Sequence, residues 1–198
     1  MGFWGSFVVR RGAAPLSELL PGIKELRDTD PADDIVRGPW RISRLWASSG
    51  DLPDTFLTDL RDATAAPVLA ADILDSDAAY VHAVGLRTPF WDTWLEIDGA
   101  VAHLVLPPSP FDDDGNFLGD DWVDPEYEAE AAEAKQKMLA ETFTGTAAAE
   151  AAVAWADEAG LNPSPATEVA AALAREETFA ESRFFALLGT LGLDTASG

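Results

Sequence analysis

The 198-residue sequence holds two histidines, His82 and His103, and no cysteine. Both histidines fall in stretches whose alternation predicts β-strands. A three-histidine zinc site is excluded, and so are thiolate metal sites. The chemistry left open is acid–base work by an imidazole or phenol beside a carboxylate. Asp72 is the carboxylate of interest, because it interrupts the apolar run Val68-Leu69-Ala70-Ala71-Asp72-Ile73-Leu74. An acid inside such a strand must be paired or have a raised pKa. Tyr80 and His82 follow on the returning stretch Ala79–Val84. Asp72, Tyr80, His82 and His103 are therefore the catalytic candidates, and Arg44 is a structural partner that would satisfy Asp72 without chemistry. With 35 acidic residues, carboxylate pairs also arise by chance. A mixed metal site of both histidines with Asp72 or Asp92 needs both rings on one face. No phosphate-binding glycine loop, nucleophile elbow or dinucleotide fingerprint occurs.

Two predicted hairpins have to position these residues. In the first, Asp75-Ser76-Asp77 supplies turn chemistry between Val68–Leu74 and Ala79–Val84. A three-residue loop places Asp72, Tyr80 and His82 on one face. A loop of two or four residues places His82 opposite Asp72. In the second, Trp91–Ile97 meets Asp98-Gly99 and Ala100–Leu106 follows. Asp-Gly between such runs predicts a type I′ turn, which would set Trp94 across from His103.

Around the hairpins, Phe3–Arg10 reads as a first strand and Leu16–Leu26 as a helix broken near Pro21-Gly22. Trp40–Trp46 reads as a second strand, and a helix from Pro53 to Ala63 buries Phe56, Leu57 and Leu60. The expected fold class is α+β: a mixed or antiparallel sheet of about six strands with helices on one face. A helical C-terminal region follows, in which Gly192-Leu193 closes the last helix. The expected division is a sheet domain over 1–107, an acidic linker over 108–124 and helices over 125–198, packed on the same domain.

The linker is the one segment dense enough in oxygen ligands to hold calcium, through Asp112, Asp114, Asn116, Asp120 and Asp121. Aligned as an EF-hand it lacks the first ligand, because Pro110 stands there, so weak calcium binding is the most it predicts. Calcium is the only cofactor suggested. Of seven tryptophans, Trp94 and Trp122 have no core position in the strand pattern and are the candidate partner-binding aromatics. The net charge of −22 argues against nucleic acid and anionic membranes. It suits a solvated surface or a basic protein partner. The first residues lack the order of a secretory signal, no stretch reaches the length of a membrane span, and the absence of cysteine predicts a cytoplasmic protein.

The opening Met-Gly-Phe-Trp-Gly, with Ala66-Pro67-Val68-Leu69 leading into Leu74-Asp75-Ser76-Asp77, resembles an uncharacterised family of acidic proteins common in actinobacteria. The resemblance covers about the first half of the chain. It implies a bacterial source and assigns no catalytic residue or ligand. The expected function is an acidic, non-enzymatic binding protein acting through a protein partner, with an immunity- or antitoxin-like inhibitor as one concrete form. The alternatives are a small hydrolase or ligand-binding enzyme with a site near Asp72, His82 and His103, and a weak calcium-binding protein. Nothing in the sequence sets the oligomeric state.

Overall fold

The computed structural model describes residues 2–26, 31–46, 49–106, 108, 109, 111, 115–117, 119 and 125–193. Six strands form one sheet: β1 (Gly5–Arg11), β2 (Ile35–Arg37), β3 (Trp40–Leu45), β4 (Val68–Leu74), β5 (Ala78–Val84) and β6 (Trp91–Leu95). Their order is β2-β3-β1-β4-β5-β6, and every pair is antiparallel. The helices are α1 (Leu16–Leu19), α2 (Phe56–Thr64), α3 (Ile97–Leu104), α4 (Pro125–Glu141), α5 (Gly145–Glu158), α6 (Ala166–Leu173) and α7 (Ala180–Thr190). The class is α+β, with a helical C-terminal region, as the sequence predicts.

The first hairpin forms with a three-residue loop: Leu74 pairs with Ala78, Asp72 with Tyr80 and Ala70 with His82. Asp75 and Ser76 both adopt positive φ, which tightens the turn. The second expected hairpin does not form. β6 pairs instead with β5, placing Tyr80 beside Trp94 and His82 beside Asp92. The positive φ needed to reverse the chain falls at Glu96 (φ 60°), and Ile97–Leu104 coils into α3. The run Ala100-Val101-Ala102 is as good a helix as a strand, because alanine favours helix and the tertiary contacts decide. Gly99 serves close packing here: a Cβ on it would lie 2.8 Å from the Asp77 carbonyl oxygen. The sheet still has six strands, because the short β2 pairs with β3 across Gly38-Pro39.

Helices cover both faces of the sheet, where one face was expected. The first face carries Phe7, Val9, Ile42, Leu69, Ala71, Ile73, Val81, Trp91 and Leu95, all buried. α5, α6 and α7 close over it. Ala148, Ala149, Ala152 and Ala156 let α5 approach closely, and Trp155, Phe184, Leu187 and Leu188 fill the remaining space. Each such large apolar side chain contributes roughly 1.5–3 kcal/mol when fully buried. The Trp155 indole N–H finds the Val68 carbonyl at 3.1 Å, so its one polar atom is satisfied. Gly192 (φ +90°) ends α7, and the Leu193 amide returns to the Leu188 carbonyl at 2.9 Å.

The second face is covered in two separate pieces. Val8, Leu45, Val68, Ala70 and Val84 pack under Leu16, Phe56, Leu57 and Leu60 of α1 and α2. Farther along, Ala78 packs with Ala100, Val101 and Met138 of α3 and α4, and Trp94 joins that cluster. A polar strip runs across the sheet between the two pieces.

One turn also anchors the start of the chain. The Ser76 hydroxyl accepts from the Phe3 amide at 2.8 Å and donates to Glu181 at 2.6 Å, while the Ala180 amide reaches the Ser76 carbonyl at 2.8 Å.

Candidate functional site

The polar strip follows from register. Ser6 pairs with Asp72 and Asp72 with Tyr80, and in the next row Ala70 pairs with His82 and His82 with Asp92. Cross-strand neighbours share a face, so four strands bring these side chains together. The Ser6 hydroxyl donates to Asp72 Oδ1. His82 Nε2 lies 3.2 Å from Asp72 Oδ2. The Tyr80 hydroxyl donates to Asp92 Oδ2 at 2.6 Å, and its ring stacks on His82 with centroids 5.0 Å apart. Ser6, Asp72, His82 and Asp92 are all buried. The Tyr80 phenol is pushed far above its usual pKa by burial first, then by its hydrogen bond to Asp92 and the charges of Asp92 and Asp72. It stays protonated across the physiological range.

Ser6, Asp72, Tyr80 and His82 form the floor of a cleft of ≈ 370 Å³. Leu52, Pro53, Phe56 and Leu57, at the start of α2, form one wall, and Phe90 stands opposite. Pro53 presets the backbone that leads into α2. That helix turns Phe56, Leu57 and Leu60 toward the sheet and leaves Thr58 at the cleft's border. Asp54 and Phe90 lie at the exposed rim.

In comparison with known proteins, no family model, no curated protein and no solved structure matches the chain. The cleft has to be understood from its own chemistry.

Three of the four catalytic candidates, Asp72, Tyr80 and His82, meet there. His103 does not. It stands on α3, 3.2 Å from Asp77 and against the Trp4 ring, so the two-histidine site fails. The expected partner of Asp72 is also corrected. Arg44 lies on the opposite face, with its guanidinium 5.1 Å from the Trp46 ring, and Ser6 and His82 take its place. Trp94, expected as an exposed partner-binding aromatic, is half-buried, with its ring 4.9 Å from Tyr80. Trp122 and the calcium candidates Asp112, Asp114, Asp120 and Asp121 lie outside the described residues, and Asn116 is exposed. Among the described residues, no group of three or more His, Cys, Asp or Glu side chains could hold a metal ion. No helix among them is long and apolar enough to cross a membrane.

Sequence reasoning missed Ser6 and Phe90 as members of the site and considered Asp92 only as a metal ligand. Ser6 did leave a signal, as a small polar residue in an apolar strand on the Val8 side.

The order of groups decides what the floor can do. Activating a serine as a nucleophile requires an imidazole base on its hydroxyl. Here the carboxylate sits in the middle, bonded to Ser6 on one oxygen and facing His82 with the other. Ser6 therefore orients Asp72 and is not activated. The arrangement can hold a polar group, and it can exchange a proton through the Asp72–His82 pair.

Proposed function

We propose that this protein binds a small, partly apolar molecule in the cleft over β1, β4 and β5. The Ser6–Asp72–His82 chain receives the molecule's polar end, and Leu52, Phe56, Leu57 and Phe90 enclose the rest. One observation carries this: a buried row of polar side chains, Ser6 bonded to Asp72 and His82 3.2 Å from it, opens into an apolar-walled cleft instead of lying under a helix. Buried polar groups weaken a core unless well satisfied, so their presence at a cleft favours use over stability.

The test is amide-resolved NMR with a set of small fragments spanning positive, neutral and negative charge. Fragments of at least one charge class should shift the Ala70 and His82 amides. Thr58→Trp, which fills the cleft from its border, should abolish those shifts. If no fragment moves these amides, the proposal fails.

A second reading is supported by a different observation. Trp46 is 73% exposed and Trp4 47% exposed, on a chain of net charge −22. Exposed tryptophans are good interface anchors, and acidic charge speeds association with a basic protein. An inhibitor of the immunity or antitoxin kind, working in the bacterial cytoplasm, fits those features. A pull-down washed at low and then at high salt tests it: a stoichiometric basic protein released by salt supports it, and empty eluates at both salts reject it.

A further inference from the structure

We propose that the polar end of the ligand is an organic ammonium group, held by Asp72 at the cleft floor. This inference rests on the cleft being a binding site.

The direction of the hydrogen bonds on the floor carries it. An ionised carboxylate only accepts, so Ser6 must spend its one hydroxyl proton on Asp72, and Tyr80 must spend its one on Asp92. A hydroxyl oxygen that donates its hydrogen can still accept. His82 Nε2 lies 3.2 Å from Asp72 Oδ2. That nitrogen is buried and makes no well-aligned hydrogen bond, and His82 as a whole is only 8% exposed. The hydroxyl hydrogens of the floor are thus committed to Asp72 and Asp92, so toward the cleft its oxygens act as acceptors. A matching ligand must bring donors. A primary ammonium brings three.

Charge and wall chemistry point the same way. The lining carries Asp72 on the floor and Asp54 at the rim, and it contains no lysine or arginine. A carboxylate or phosphate ligand would face like charge with no cation to neutralise it. A bare divalent ion needs several oxygen or imidazole ligands, and among the described residues no group of three such side chains is close enough. The apolar and aromatic walls, Leu52, Leu57, Phe56 and Phe90, suit an alkyl or aryl chain behind the ammonium. Aromatic faces also attract cations.

The test compares pentylammonium, 1-pentanol and pentanoate, which are similar in size and differ in head group. Binding is followed through the Ala70 and His82 amides, in 0.15 M salt to damp the diffuse attraction of an acidic protein for any cation. Pentylammonium should bind at least about tenfold more tightly than pentanol, and pentanoate should not bind. Asp72→Asn should erase that tenfold preference while pentanol still binds. Asp54→Asn, an exposed change that leaves the floor intact, should weaken pentylammonium by about two- to fivefold. If pentanol or pentanoate shifts the cleft amides as strongly as pentylammonium, the ammonium assignment is overturned and the cleft remains a binding site. If none of the three, and no other fragment, shifts them, both the assignment and the binding site are overturned. Pentylammonium bound equally well by Asp72→Asn would overturn the role given to Asp72.

Discussion

The two faces of the sheet are built from the same strands and treated in opposite ways. One face is apolar nearly throughout and sealed by α5, α6 and α7. The other is covered in two pieces, with Ser6, Asp72, Tyr80, His82 and Asp92 between them. Alternation along a strand makes this possible, because neighbouring residues serve different faces and can be chosen independently. β4 shows it within three residues: Ala71 and Ile73 complete the sealed face while Asp72, between them, faces the cleft. A sheet can thus keep a fully packed side and carry buried polar chemistry on its reverse.

The sharpest way to break this contrast is to damage the sealed face. Trp155→Ala should cost about 3–5 kcal/mol, from the lost ring and the cavity left beneath the last turn of α5. Urea denaturation should show a lower midpoint with an unchanged slope. On the split face, Asp72→Ala should cost about 1–3 kcal/mol, because the buried Ser6 hydroxyl loses its acceptor and His82 the carboxylate 3.2 Å away. Removing the whole chain sharpens the point. The triple change Ser6→Ala, Asp72→Leu and His82→Phe should recover wild-type stability or exceed it while abolishing ligand shifts. The sealed face, apolar nearly throughout, carries no comparable row of polar side chains to exchange.

Glu158 marks where the two regions touch. It sits on α5 and accepts from the Arg87 and Thr88 amides at 2.7 Å each, just before Phe90 of the cleft. Burial pushes its pKa up, but the hydrogen bonds from Thr88 and Arg87 and the Arg87 charge outweigh it, leaving it below its ordinary value of 4.5. A lowered pKa means stabilisation that is complete above 4.5 and fades as pH falls through the folded-state value. Glu158→Gln should therefore flatten the acid limb of a stability–pH curve measured by thermal unfolding. The smallest effect is expected at Trp46, 73% exposed. Trp46→Ser should change stability by no more than about 0.5 kcal/mol.

Much of this contrast was legible in the sequence. The Phe56, Leu57, Leu60 stripe gave α2, although the helix begins at Phe56 and not at Pro53, and Asp75-Ser76-Asp77 between two apolar runs gave the first hairpin. The anomaly of Asp72 pointed to the cleft floor. Loop length was the missing fact, since one residue more or fewer would have moved His82 to the sealed face. Asp98-Gly99 misled because glycine serves two purposes: it permits positive φ, and it permits close approach. In this chain the second applies, against the Asp77 carbonyl. β2 escaped notice because three residues are too few to show alternation, although Gly38-Pro39 marked its turn. The role of Arg44 could not be read locally, since the face a charged residue shares with a distant strand depends on pairing across the sheet.

The Ser76 turn has a consequence for how the molecule assembles. Its hydroxyl joins segments 73 and 105 residues away, at Phe3 and Glu181. Contacts of such long sequence separation carry a large loop-closure cost, so they become favourable only once the intervening structure has formed. The joint cannot close until β1 has found β4 and α7 has docked. It should be among the last contacts made and the first released in partial opening. Hydrogen exchange at the Phe3 and Ala180 amides would then report on the completed fold from a single turn, and the two amides should lose protection together.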